Sequence, residues 1–262
     1  MAILHIARYH VDGGEYFGRR EDRDFLRMNA PPWAEGRETG QRDPIDSCTL
    51  LAPVAPSKIV CVGLNYRAHI AESLSVVPDA KPPAEPVLFL KPPSAVIPDR
   101  AAIRYPPGVT RLDPEAELAV VIGRRASRVS LADAPRHVAG LTCINDVSAR
   151  NYQKQDGQWT RAKGFDTFAP LGPWVAVGLS PEHLRIQCRV NGQVRQDGDT
   201  SDLLFPVHFL VSFISAVMTL EPGDVIATGT PAGIAPIQVG DVVEVEVEGV
   251  GVLRNPVEAF GA

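Results

Sequence analysis

The chain of 262 residues has little that would commit it to a membrane or to nucleic acid. Its longest strongly apolar segment, His208 to Leu220, is 13 residues long and includes Ser212, Ser215 and Thr219. A bilayer span takes about 20 residues, so the segment predicts a core helix instead. No block of Lys and Arg occurs, and 26 basic against 31 acidic residues leave a net charge of −5 at pH 7. That excludes a protein whose affinity comes from neutralising phosphates. Met1 to His10 lacks a basic region followed by an apolar stretch, so no secretory leader is read and a cytoplasmic location is expected. Cys48, Cys61, Cys143 and Cys188 lie far apart with no C-x-x-C pair, which excludes a zinc-finger framework and predicts buried, reduced thiols. There is also no G-x-S-x-G elbow, P-loop or G-x-G-x-x-G, which removes the simplest support for serine-hydrolase, nucleotide and dinucleotide chemistry.

What the chain does have is punctuation. The 24 Pro and 22 Gly are about 18% of the residues, against about 12% on average, and predict many turns and short strands. The segment Leu51-Ala52-Pro53-Val54-Ala55-Pro56 favours extended backbone and interrupts helix, so a boundary is placed there: residues 1–53 as a small N-terminal accessory domain, 54–262 as the main domain. Strand signals follow at Lys58 to Gly63, Pro86 to Lys91, Ala116 to Gly123, Val138 to Asp146, Trp174 to Val177, and Leu184 to Arg195 broken by Asn191-Gly192, a hairpin signal. Val243, Val245 and Val247 alternate with Glu244, Glu246 and Glu248, the period of a half-buried strand. Helices are fewer, a short one after Ser130 and one from about Pro206 to Met218, and Glu221-Pro222-Gly223-Asp224 reads as a type II turn. The fold class is mixed α/β and β-rich.

The chemistry concentrates in carboxylates. Glu115 and Glu117 lead into the apolar run Leu118 to Ile122, and on a strand they crowd one face; Asp146 ends a second apolar strand. Three such carboxylates repel one another unless protonated or bridged, and an all-oxygen set suits Mg²⁺, Mn²⁺ or Ca²⁺. The same E-x-E pattern also describes a solvated edge strand, as at Glu244 and Glu246. His69 and Glu72 have the spacing of a carboxylate-oriented general base on a helix, and equally that of a chance surface pair. Lys163 stands among small and apolar residues, where it could hold an anion or simply be solvated. The loop Thr228-Gly229-Thr230-Pro231 could aim donors at a carboxylate or be a plain turn.

Six strings in order, GLNYRAHIAE from Gly63, PVLFLKP from Pro86, EAELAVVIG from Glu115, NDVSARNYQ from Asn145, AKGFDTFAPLGPW from Ala162 and EPGDVIATGTPAG from Glu221, closely resemble the fumarylacetoacetate hydrolase family over roughly Pro56 to Val257. The likeness is to its acylpyruvate hydrolases, oxaloacetate decarboxylases and 2-hydroxyhepta-2,4-diene-1,7-dioate isomerases. The resemblance implies a mixed β-sandwich roll, homodimeric, with a small N-terminal domain. It implies Glu115, Glu117 and Asp146 as Mg²⁺ or Mn²⁺ ligands, and His69 with Glu72 as a water-activating dyad on a lid. Lys163 then meets the oxo-acid end of a small-molecule substrate, Arg150 and Gln153 steady the leaving portion, and Thr230 belongs to the substrate-carboxylate loop. Fumarylacetoacetase would have a further Asp ligand near Asn65, and a neutral Asn there favours the three-carboxylate branch.

The activity implied is metal-dependent chemistry on 2-oxo and 2-enol carboxylates through a stabilised enolate. Carbon-carbon hydrolysis of an acylpyruvate type, or decarboxylation of an oxo-diacid, is expected first. The alternatives are isomerisation of a 2-hydroxyhepta-2,4-diene-1,7-dioate or 5-carboxymethyl-2-hydroxymuconate in aromatic catabolism and, more remotely, a non-catalytic dimeric module.

Overall fold

A computed structural model describes residues 2–68 and 82–261. His69 and Glu72 lie outside the described residues. No described helix is long and apolar enough to cross a membrane.

Among the described residues the chain builds one large mixed sheet of twelve strands and a second of five. At the centre of the first lies Ala116–Ile122, every residue of which is buried. Its continuous apolar run is what a strand covered on both faces requires. It pairs antiparallel with Val138–Asn145 on one side and with Val225–Ala227 on the other, and Val225–Ala227 runs parallel to Ile59–Gly63. Alternate side chains part company here. Leu118, Val120 and Ile122 join the larger core, with Ile186, Val243, Val245 and Val247 of the second sheet, while Ala119 and Val121 pack against Ile59, Cys61 and Ile144. Glu115 and Glu117 share the parity of Ala119 and Val121, so they project on the face turned away from the second sheet.

The second sheet runs Gln193–Asp199, Arg185–Val190, Val242–Val247, Gly251–Ala259, Ile103–Tyr105. Its first hairpin turns at Asn191-Gly192 with φ of 52° and 77°, the left-handed pair that a two-residue hairpin turn needs. Val243, Val245 and Val247 are buried between half-buried glutamates, as the alternation predicts. The one long described helix, Val207–Val217, buries Leu210, Val211 and Ile214 in the larger core.

The N-terminal strands Leu4–Val11, Gly14–Glu21, Asp24–Met28 and Glu38–Pro44 extend the large sheet, because Leu4–Val11 also pairs with Ala169–Val177. The expected helix after Ser130 is only a 3₁₀ turn, Ala134–His137. Ser130 Oγ accepts from Asp133 N–H at 3.2 Å and donates to Asp133 Oδ2 at 2.9 Å, but Pro135 removes a backbone donor and a strand starts at Val138. Cys61, Cys143 and Cys188 are buried free thiols; Cys48 is only half-buried, a correction to the expectation, because it lies just after the surface turn Ile45–Ser47.

The turn Glu221 to Asp224 closes as expected, with Gly223 at φ 90° and Asp224 N–H donating to Glu221 O at 3.0 Å. Asp224 is fully buried and ties the parallel strand pair together: it accepts from Ser57 Oγ at 2.6 Å, from the Ser57 and Lys58 N–H groups, and from Lys58 Nζ. Burial pushes its carboxyl up, but the Lys58 and Ser57 hydrogen bonds outweigh this and hold it below the usual range. Asp224→Ala is expected to cost about 3 kcal/mol, the lower end for breaking a buried pair because Lys58 is partly exposed. A depressed carboxyl stabilises above its unfolded value of about 4 and loses that contribution as the pH falls through the folded value. The gap between wild type and variant in urea midpoint should therefore narrow from pH 7 to below 4, and a constant gap would contradict the assignment.

Candidate active site

The central strand Ala116–Ile122 and its antiparallel partner bring the acids together. Asp146 N–H donates to Glu115 O at 2.9 Å and Glu115 N–H donates to Asn145 Oδ1 at 3.0 Å, so the two chain segments are stitched where the carboxylates leave them. Glu115, Glu117 and Asp146 are 5%, 2% and 1% exposed, and one oxygen of each lies within 4.8 Å of the others. The solvated-edge reading of Glu115 and Glu117 is thereby excluded.

Cations meet this cluster from two sides. The short helix Thr160–Lys163 delivers Lys163, whose Nζ donates to Glu115 Oε2 and Asp146 Oδ2, each at 2.6 Å. Burial would pull this ammonium down, but Asp146 and then Glu115 outweigh it and hold it above the usual lysine range. From the other side Arg150, at the start of the helix Arg150–Asp156, donates to Glu115 Oε1 at 2.5 Å and to Asp113 Oδ2 at 2.8 Å. Its Nη1 donates to Gln153 Oε1 at 2.8 Å, one helical turn on. Glu115 is thus clasped between Lys163 and Arg150. Glu117 has less: Gly229 N–H donates to its Oε2 at 2.8 Å. Burial first, then the charges of Asp146 and Glu115, push its carboxyl well above the usual range.

Gly229 has φ 104°, and a Cβ there would stand 2.8 Å from the Asn65 Cβ, so the loop can bring its N–H to Glu117 only as glycine. Asn65 is not placed as a ligand. Its Nδ2 donates to Thr228 O at 2.7 Å and Phe205 O at 3.1 Å, and its Oδ1 accepts from Phe205 N–H at 2.8 Å, so its amide is spent joining two loops. Thr230 is buried with its hydroxyl already donating to Ala116 O at 2.8 Å.

The structure thus brings Glu115, Glu117, Asp146, Lys163, Arg150 and Gln153 into one connected cluster, with Thr230 at its back. Sequence reasoning passed over four participants. Lys91 sits within the quoted PVLFLKP string, fully buried, its Nζ 2.7 Å from Asp146 Oδ1 and donating to Lys163 O at 2.6 Å. A lysine ending an apolar strand was the available signal. Asp113, also buried, fixes Arg150 and Arg111, and Ser148 Oγ lies 3.3 Å from Glu115 Oε2. The fourth is Gln196, which touches the central strand from behind.

The set suits a hard divalent ion: oxygen donors only, three carboxylates, one of them poorly compensated. The Tyr66 hydroxyl is buried without a hydrogen-bond partner among the described residues, and burial first, then the charge of Glu117, pushes it up. Such an orphan polar atom is what a site for a further polar group leaves behind.

Residues 58–258 match the family described as fumarylacetoacetate (FAA) hydrolase, C-terminal, and residues 4–53 match an N-terminal family described as Rv2993c-like. The chain belongs to the fumarylacetoacetate hydrolase family. A curated member, the mitochondrial oxaloacetate tautomerase A of Bos taurus, is 42% identical over 82% of this chain and 71% of its own length. Among solved members, the 2-hydroxyhepta-2,4-diene-1,7-dioate isomerase of Mycobacterium marinum superposes with a TM-score of 0.90 at 41% identity, covering 99% of this chain and 100% of that one. The maleylpyruvate hydrolase of Sphingobium sp. SYK-6, solved with manganese(II) and pyruvate, gives a TM-score of 0.79 at 28% identity over 97% of this chain and 99% of that one. The β-rich mixed fold with a small N-terminal region is the family fold.

Proposed function

We propose that this chain is a divalent-metal-dependent enzyme that moves a proton beside the oxo group of a 2-oxo or 2-enol dicarboxylate, as a tautomerase or isomerase. The observation that carries the reading is the clasp of Glu115 between Lys163 and Arg150, two strong cations on either side of one acid cluster. Such an arrangement places fixed positive charge beside the acids, where an anionic oxo-acid would be held. Support for proton transfer ahead of carbon-carbon cleavage comes from the relatives, since the tautomerase and isomerase named above exceed 40% identity and the hydrolase does not.

Glu115, Glu117 and Asp146 would hold Mg²⁺ or Mn²⁺, which supplies Lewis acidity towards the oxygens of an oxo-acid. The rest falls to the chain. Lys163 and Arg150 offer fixed positive charge, Arg150 kept in one rotamer by Asp113 and Gln153. For its hydroxyl to meet a substrate carboxylate, Thr230 would have to release Ala116 O. His69 and Glu72, both outside the described residues, are the proposed groups that take the proton from carbon and return it. The same pair would activate water in the second reading, hydrolysis of an acylpyruvate, which the hydrolase relative favours.

The test is turnover of oxaloacetate enol, acetylpyruvate and a 2-hydroxydiene dioate with Mg²⁺ or Mn²⁺, with and without EDTA. EDTA-sensitive loss of enol or dienol absorbance with all carbon retained is the expected result. Release of acetate or CO₂ as the main course would replace it with the cleavage reading. Metal binding with no turnover of any of them would return the non-catalytic module.

A further inference from the structure

Along Gln193–Asp199 the burial is inverted. Val194 is 51% exposed, while Gln196, the strand's one buried residue, is 1% exposed. A polar side chain sent inward where an apolar one faces water breaks the pattern that folding alone would choose, and such breaks gather at functional sites.

The destination of Gln196 is the central strand. Val225–Ala227 pairs with the central strand only as far as Ala119 opposite Ala227. Beyond that point the edge of residues 116–118 is completed by other groups: Thr228 N–H and Oγ donate to Leu118 O at 3.1 and 2.9 Å, and Gln196 reaches across from the second sheet. Its Oε1 accepts from Ala116 N–H at 2.9 Å, and its Nε2 donates to Thr230 Oγ and Pro231 O, both at 2.7 Å. Thr230 Oγ donates in turn to Ala116 O at 2.8 Å. The result is a closed ring in which one side chain and one hydroxyl hold both backbone groups of Ala116.

Ala116 stands between Glu115 and Glu117. Fixing its N–H and C=O fixes the peptide planes from which both carboxylates depart, without touching either carboxylate. Partners that hydrogen-bond the ion-binding groups directly are worth roughly 10- to 100-fold in metal affinity, and partners that hold the backbone between those groups are expected at the lower end of that range.

We propose that Gln196 is a positioning residue that sets the Glu115/Glu117 pair for divalent metal and locks the Thr230 loop to the same strand. The proposal rests on the metal reading above. It is tested by titrating Mn²⁺ calorimetrically into wild type, Gln196→Leu, Thr230→Val and the double variant, with melting curves taken in EDTA. Gln196→Leu should bind Mn²⁺ about 10-fold more weakly. Thr230→Val should weaken it too, and the double variant should lose less than the product of the two single losses, because both act through one ring. A purely structural role predicts lower melting temperatures with unchanged Mn²⁺ affinity for the folded protein, and that result overturns the proposal. Should Gln196→Leu not fold, wild-type affinity in Thr230→Val, which deletes one hydroxyl, overturns it equally. Wild-type protein that takes no Mn²⁺ at all removes the metal reading itself.

Discussion

Glu117→Gln is expected to give a folded protein that no longer takes the proposed divalent ion and lacks the proposed metal-dependent activity. Glutamine keeps the shape and an oxygen for Gly229 N–H, which stands 2.8 Å from Oε2, so the loop after Ala227 has no reason to move. What disappears is one of three buried carboxyl groups with an oxygen each within 4.8 Å of the others. In metal-free protein that removal relieves repulsion, since burial and the charges of Asp146 and Glu115 already push Glu117 well above the usual range. The variant should therefore melt no lower than wild type in EDTA, and at neutral pH somewhat higher. Its Mn²⁺ affinity should fall by at least about 100-fold, the upper end of what mere outer partners cost. An ion worth several kcal/mol of transition-state stabilisation then takes about 10³ from kcat/KM with it. The decisive comparison is the rise in melting temperature on adding Mn²⁺: large in wild type, absent in the variant. A variant whose melting still responds to Mn²⁺ as wild type does would sink the ligand assignment.

The parts of the fold that could be read from sequence are those where one face is dry. Val243, Val245 and Val247 alternate because the sheet carrying them is wet on its other side, and Asn191-Gly192 is legible because few residues other than Asn and Gly accept the left-handed backbone found there. One N-terminal strand was hidden for the opposite reason. Glu38–Pro44 buries only Asp43, so no apolar period marks it, and pairing is helped by ion pairs such as Arg19 with Glu38 and Arg42 with Glu21. The helix Arg150–Asp156 buries no residue and so carries no amphipathic signature either.

The site divides in the same way. Glu115, Glu117 and Asp146 betray themselves as acids where apolar strands begin and end. Lys91 and Gln196 matter through partners more than 30 residues away, which no local spacing records. Asn65 shows the converse: a residue placed by resemblance near a ligand position proves to be a joint between loops.

The second large effect concerns Lys163, where stability, metal binding and turnover are expected to move in different directions. Lys163→Met keeps the stem and removes the charge. In metal-free protein Glu115 and Asp146 each lose a partner at 2.6 Å, and breaking such a buried pair costs about 3–5 kcal/mol, so the variant should melt well below wild type in EDTA. The same loss leaves the acid cluster more negative, with Lys91 and Arg150 still in place, and a divalent ion gains from that. One unit charge at 4 Å is worth about 4 kcal/mol at an effective dielectric of 20, so even a heavily discounted share should tighten Mn²⁺ about 10-fold. Mn²⁺ should then restore most of the lost stability. Turnover should not return with it: a positioned proton donor or fixed charge at the reacting end is worth about 10² to 10⁴ in kcat, and methionine supplies neither. Lys163→Arg separates the two roles, since its charge should recover the melting temperature in EDTA while the broader guanidinium leaves kcat low. If Lys163→Met were instead stable without metal and fully active, Lys163 would be a spectator, and the clasp around Glu115 would have to be explained by folding alone.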